Sequence, residues 1–192
     1  MANTSATGGA LVPNVNTVPT EDDAFLDFIH DWIVGLTGLD NKFVRPRWQP
    51  EQVNIPHESV NWLAFGISSR ESDTFAAVEH IGIGDGKDRL LRHERLELAV
   101  SCYGPNANTV LQNLKDGMQI GQNREALTLA KMNVLWCGDT IAAPELIKEK
   151  WLYRVDMNFC IVRQIIKDYP VFNLLSATGV IHNEHSDVSF NA

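Results

Sequence analysis

The stretch from Arg92 to Met132 constrains the chain most, because its hydrophobic period changes partway along. In Arg92–Tyr103, Leu96, Leu98, Val100 and Cys102 alternate with Glu97, Ala99, Ser101 and Tyr103, the two-residue repeat of a strand with one buried face. Gly104-Pro105-Asn106 stops it: proline brings no N–H to a ladder, and glycine accepts the backbone angles of a turn. Beyond the turn, Ala107, Val110, Leu111, Leu114 and Met118 recur at three and four residues, one apolar stripe along a helix. A sheet face and a helix stripe made by consecutive segments are each other's nearest cover, so this pairing is expected to be the core.

The rest of the chain extends that pattern. Phe25, Ile29, Trp32, Ile33 and Leu36 predict a first helix, with Thr20 and Asp23 as a capping box, Glu21, Asp22 and Asp23 at its positive end, and Thr37-Gly38 as its stop. Lys42–Pro50 reads as extended, since each proline biases the residue before it away from the helix. Ser59–Ser68 alternates with both faces apolar, as a central strand does, and Thr74–Gly82 is a weaker strand. The glycines of Ile83–Asp88 mark a hairpin tip, because G-x-G-D-G-K lacks the spacing of a phosphate loop and does not open a helix. Asn123 is placed to cap a short helix over Arg124–Ala130, and Val134–Cys137 reads as a strand. Ala143–Leu146 reads as a connection with a helical turn, and Trp151–Ile166 as the last long strand, with Val155, Met157, Phe159 and Ile161 inward. The fold class expected is α+β, an α/β sandwich with a mainly antiparallel sheet covered by two or three helices.

Length and composition suggest the domain plan. The 192 residues allow one well-buried domain, expected over residues 21–177. Met1–Thr20, small, polar and broken by Pro13 and Pro19, reads as a flexible arm, and Thr178–Ala192 as an extended C-terminal arm.

Charge and motif content exclude several function classes. A net charge of −8 opposes a protein that grips nucleic acid by its phosphates. No apolar run reaches membrane-spanning length and the first twenty residues lack the pattern of a secretion signal, so no membrane partner is expected. Cys102, Cys137 and Cys160 read as buried free thiols. Arg45, Arg47 and Trp48 invite a nucleic-acid reading, but the overall acidity favours arginine stacked on an aromatic at a sheet edge or subunit contact. His30 reads as structural, and His182, His185 and Asp187 as too weakly ordered a set for a metal. Ser101 and Ser176 lack a nucleophile elbow, and His80, His93, Asp139 and Asp156 form no recognisable constellation, so no catalytic residue, cofactor or metal is expected.

Taken in order, Val44–Pro50, Asn61–Ile67, Arg92-His93-Glu94, Tyr103-Gly104-Pro105, Asp116–Ile120, Gln122–Leu127, Ala143–Leu146 and Arg154-Val155-Asp156 resemble the tailed-bacteriophage neck or tail terminator family over roughly Asp23–Ala177. The resemblance implies a virion protein assembled in the host cytoplasm, not an enzyme. It implies a ring, usually hexameric, at the top of the tail that caps the tail tube, ends its polymerisation and docks to the head connector or collar. Genomic DNA would pass its lumen without specific binding, and an acidic bore would keep that passage slippery. The C-terminal arm, with Val180, Ile181, Val188 and Phe190 as apolar anchors, is expected to reach a neighbour, the tail sheath protein if the tail contracts. The rival readings are a connector adaptor, which would be mostly helical, a tube protein, and a small soluble hydrolase.

Overall fold

The computed structural model describes residues 3, 5–17, 20–49, 54–147, 149–173, 176, 178–182 and 187–191. In chain order the elements are α1 (Asp22–Thr37), β1 (Val44–Pro46), β2 (Trp62–Ser72), β3 (Ala77–Ile81), β4 (Lys87–Tyr103), α2 (Ala107–Gly117), α3 (Glu125–Leu129), β5 (Met132–Cys137), β6 (Ile141–Ala142), β7 (Glu145–Ile147), β8 (Lys150–Leu152), β9 (Arg154–Tyr169), β10 (Thr178–His182) and β11 (Asp187–Asn191). The fold is α+β with a mainly antiparallel sheet, as the alternation predicts. It divides into two compact units, one of Pro19–Ala76 with Arg92–Ile165 and one of Met1–Val18, Ala77–Leu91 and Ile166–Ala192.

In the larger unit the strands run in the order β1-β2-β4-β9-β5, with β6 beside β9. β2 pairs antiparallel with β4 from Trp62 opposite Tyr103 to Ser72 opposite Glu94, and β5 and β6 pair antiparallel with β9. β1 is the exception, lying parallel to β2 at the edge, where the missing N–H of Pro46 costs no ladder bond. Strand alternation then sorts the faces. Val44, Leu63, Phe65, Leu96, Leu98, Val100, Cys102, Val155, Met157, Phe159 and Ile161 point to the helices and are buried. Against them pack Phe25, Ile29, Trp32 and Ile33 of α1, Ala107, Val110, Leu111 and Leu114 of α2, and Leu127 of α3. Each large apolar side chain so buried contributes about 1.5–3 kcal/mol to the drive for folding.

Four local expectations are corrected. The Thr20–Asp23 box does not form: Glu21 is the N-cap of α1 and its side chain makes no capping bond. Its carboxylate instead takes the guanidinium groups of Arg163 at 2.5 Å and Arg70 at 3.0 Å, charge-assisted bonds that a neutral amide cannot match. Asn123 does not cap α3. A 3-10 turn, Gln122–Arg124, leads into that helix, while the Asn123 amide donates to the Gly117 carbonyl and its own carbonyl accepts the Trp32 indole at 2.7 Å. Lys42 and Phe43 are not extended but close a 3-10 turn, Asn41–Phe43, with extension beginning at Val44. Finally, Glu145–Ile147 is a strand, not a helical turn: it pairs with β8, so Trp151 belongs to a hairpin and the long strand begins at Arg154.

In the smaller unit β3 pairs antiparallel with Lys87–Leu91 of β4, closed by a tip in which Gly84 and Gly86 both have positive φ. Asp168 receives Lys87 at 2.6 Å and Arg89 through two bonds, and these cations, Arg89 foremost, hold its carboxyl far below the usual range. β10 and β11 pair antiparallel from Thr178 opposite Asn191 to His182 opposite Asp187. Asn183, Glu184 and His185 of the histidine cluster lie outside the described residues, as does Pro50.

Candidate assembly interface

The sheet face turned away from the helices carries a polar and aromatic row that crosses four strands. Arg45 on β1 lies over the Trp62 ring on β2, and Trp62 stacks on Tyr103 of β4 with centroids 4.1 Å apart. Tyr103 in turn lies under Arg154 of β9. Arg154 grips Asp156 through two nitrogens at 2.7 and 2.8 Å and also meets Glu145 of β7, which ties the β7–β8 hairpin to the sheet. Ser101 donates to Asp156 and accepts from Arg47. Burial alone would raise the Asp156 carboxyl, but Arg154 and Ser101 outweigh it and hold the group below the usual aspartate value.

This row answers part of the question raised by Arg45, Arg47 and Trp48. Arg45 donates to the carbonyls of Lys42 and Asn54, and Arg47 to Ser101, so both guanidiniums are engaged within the chain. Trp48 differs: it is 71% exposed, has φ +56°, and its ring lies against Gly66, where a Cβ would sit 2.6 Å from Cζ3.

Large apolar side chains stand out elsewhere in the larger unit. On the β7–β8 hairpin Leu146 and Trp151 face each other across the strands, 60% and 69% exposed. Ile141 on β6, Tyr153 after β8, and Leu135 and Trp136 on the edge strand β5 are exposed as well. Sequence reading missed the Leu146–Trp151 pair because it assigned the two residues to different kinds of element. The available signal was the short spacing of Leu146 and Trp151 about the charged run Lys148-Glu149-Lys150 between apolar flanks.

For the C-terminal anchors, Val180 is exposed and opposite Ser189, Ile181 is opposite Val188, and Phe190 is opposite Gly179 in the β10–β11 register.

The ionisable residues weighed for catalysis occupy separate pairings. His80 meets Asp88, His93 meets Asp73, Asp139 meets Lys115 and Asp156 meets Arg154. A hollow of about 430 Å³ is lined by Glu71, Ser72, Asp73, Thr74, His93, Arg95 and Val162, and its charges pair off as Asp73 with His93 and Glu71 with Arg95. Cys102 and Cys160 are buried and Cys137 half-buried; burial pushes the Cys102 thiol up to about 12, which leaves no thiolate at neutral pH. Among the described residues, no group of three or more His, Cys, Asp or Glu side chains is placed to hold a metal ion, and no helix is long and apolar enough to cross a membrane.

A family model of the phage neck terminator protein matches residues 23–185. The chain belongs to the phage neck terminator family. None of the curated proteins matches the sequence. The family match begins at Asp23, as the motif resemblance does, but runs past Ala177 and takes in β10. Membership in this family makes the chain a structural protein of the phage neck and places it in the virion. For a terminator, exposed apolar side chains on short strands and hairpins are the surfaces to weigh for contact with other subunits.

Proposed function

We propose that this neck terminator closes into a ring, hexameric as the family resemblance implies, that caps the head-proximal end of the tail tube. The ring stops tube polymerisation and offers its other face to the head connector, and DNA leaves the head through its bore. The observation that carries this reading is the Leu146–Trp151 pair, two large apolar side chains exposed together on a hairpin of two three-residue strands in a protein of a structural neck family. So small a hairpin has little stability of its own in water, and an apolar pair at its surface is the kind of feature that a subunit contact covers.

A head-to-tail contact whose rotation closes makes a ring instead of a filament, and two unlike faces let the ring accept the tube on one side without adding another copy on the other. The net charge of −8 suits a bore that repels phosphate. The domain plan that goes with this reading is a core over residues 21–177 with the two terminal segments as arms. The C-terminal arm contacts a neighbour, the sheath protein if the tail is contractile, by adding strand to an exposed edge. Assembly takes place in the host cytoplasm.

Size-exclusion chromatography with light scattering, followed by electron microscopy of the purified protein, tests the ring. A discrete closed ring supports it. Open-ended tubes favour the tube-protein reading, and a monomer at every concentration, in the presence of tail tubes as well, overturns it. Excess Lys and Arg on the bore of an observed ring would remove the acidic-lumen part alone.

A further inference from the structure

We propose that His80, Asp88 and Asn173, all in the smaller unit, form a proton-operated clasp that holds the segment following β9 against the β3–β4 hairpin and releases it when the imidazole loses its second proton. His80 stands opposite Asp88 in the hairpin register, with Nδ1 2.6 Å from Asp88 Oδ1. Its other nitrogen, Nε2, lies 2.7 Å from Asn173 Oδ1. The orientation of the Asn173 amide is fixed by its other contact, since Nδ2 donates to the Gly84 carbonyl at 3.0 Å and a reversed amide would set oxygen against oxygen. A carboxylate and an amide oxygen are both acceptors, so both ring nitrogens must carry a proton: the geometry requires an imidazolium.

The hairpin tip is shaped around this segment. At Gly86, with φ +84°, a Cβ would sit 2.5 Å from the Val171 carbonyl and 2.6 Å from Asn173 Oδ1, so only glycine lets the two backbones approach this closely. The Phe172 amide donates to Ser5 Oγ at 3.2 Å, which makes its exchange a reporter of whether the segment is seated.

A neutral imidazole has one N–H. Asp88, the charged acceptor, keeps it, and the Nε2 lone pair then faces Asn173 Oδ1. Flipping the amide to satisfy Nε2 would break the bond to Gly84, so one contact is lost either way. Asp88 from β4 is the charge facing the ring. Among the described residues, the segment after β9 brings to the ring the neutral Asn173, Lys87 and Arg89 are engaged by Asp168, and Glu79 stands opposite Arg89. The contacts to Asp88 and then Asn173 raise the ring above its ordinary value of 6.5. With a folded-state value raised in this way, the clasp is complete below the ordinary histidine value and opens as pH rises through the folded one. The device sits just ahead of β10, so it sets how firmly the C-terminal hairpin is tethered, whether or not that hairpin contacts a neighbour.

The test uses the full chain from about pH 5.5 to 8.5, with deuterium exchange at the His80 imidazole C2 and at the backbone amides of Val171–Asn173, both read by mass spectrometry. We expect the ring to titrate above a free histidine, and the amides, corrected for intrinsic rate, to exchange about threefold faster or more across the same midpoint. Asn173→Ala should exchange fast at every pH, and His80→Lys, a donor throughout this range, slowly at every pH. A ring titrating at or below the ordinary value, or amide exchange in the unmodified protein that does not follow the ring, would overturn the clasp. Both of those readings need no variant, so misfolding of a variant leaves the test intact.

Discussion

Arg163 on β9 and Glu94 on β4 meet at 2.7 Å inside the larger unit, each only 2% exposed. Both project to the apolar side of the sheet, where Arg163 also lies over the Phe25 ring and donates to the Thr20 carbonyl, and Glu94 accepts from Arg92. The pair therefore anchors the start of α1 to two neighbouring strands. Removing one partner breaks a buried charge-assisted bond and leaves Glu94 to Arg92, or Arg163 to Glu21, at a cost of about 1.5–3 kcal/mol. Arg163→Leu and Glu94→Leu should each lower unfolding stability by that order in urea titration, and the double variant should lose less than the sum. A single variant within about 0.5 kcal/mol of the parent would show that the pair carries no structural weight.

Stability should fall in acid. Burial alone would raise the Glu94 carboxyl, but Arg163 and Arg92 hold it below its ordinary 4.5, and Asp156 is held below 3.8 by Arg154 and Ser101 against its own burial. Depressed carboxyls contribute fully above their unfolded values and lose that contribution as pH falls through the folded ones. Denaturation midpoints should hold steady down to about pH 5 and drop between about pH 4 and 2; a midpoint rising with acid would contradict the assignment.

Gly104→Ala should destabilise the turn between β4 and α2 by about 2 kcal/mol or more. The residue has φ +109°, and a Cβ there would lie 2.6 Å from the Val60 carbonyl and 2.7 Å from Asn61 Oδ1. Thermal unfolding measures the loss, and an unshifted melting temperature would mean that the turn relaxes freely.

Trp151→Ser combined with Leu146→Ser should leave the folded subunit within about 1 kcal/mol of the parent, because exposed side chains contribute little to the monomer. Assembly should weaken by about tenfold or more, as when an aromatic anchor leaves an interface centre. Light scattering over a dilution series separates the two effects. Unchanged assembly would remove this hairpin from the contact.

Deleting Thr178–Ala192 should give a ring that still forms but associates less well with sheath or neck neighbours. Unaltered particle assembly in complementation would count against the arm as a contact.

Period and punctuation make much of this fold readable in the sequence itself. Leu96, Leu98, Val100 and Cys102 all lie on the buried face that their alternation predicts, and Ala107, Val110, Leu111 and Leu114 cover it. These features are legible because each depends on neighbours in the chain: a strand repeats every two residues, a helix every three or four, and Gly38 stops α1 in the left-handed conformation that glycine readily adopts. The family motifs were legible for a different reason, as an ordered set of short matches.

What sequence left open depends on distant partners. Glu21 looks like the first acid of a capped helix, yet it binds Arg163, 142 residues away. Asn123 looks like a cap and is held by Trp32, 91 residues away. Leu146 became a strand residue because Trp151 sits across from it, not because of any periodicity of its own. Local sequence fixes the rhythm in which apolar and polar groups present themselves, since that follows from backbone geometry. Which hydrogen-bond donor or cation claims a given polar group is decided only when folding brings the remote segments together, because several nearly equal local partners compete until one of them is desolvated alongside a stronger one.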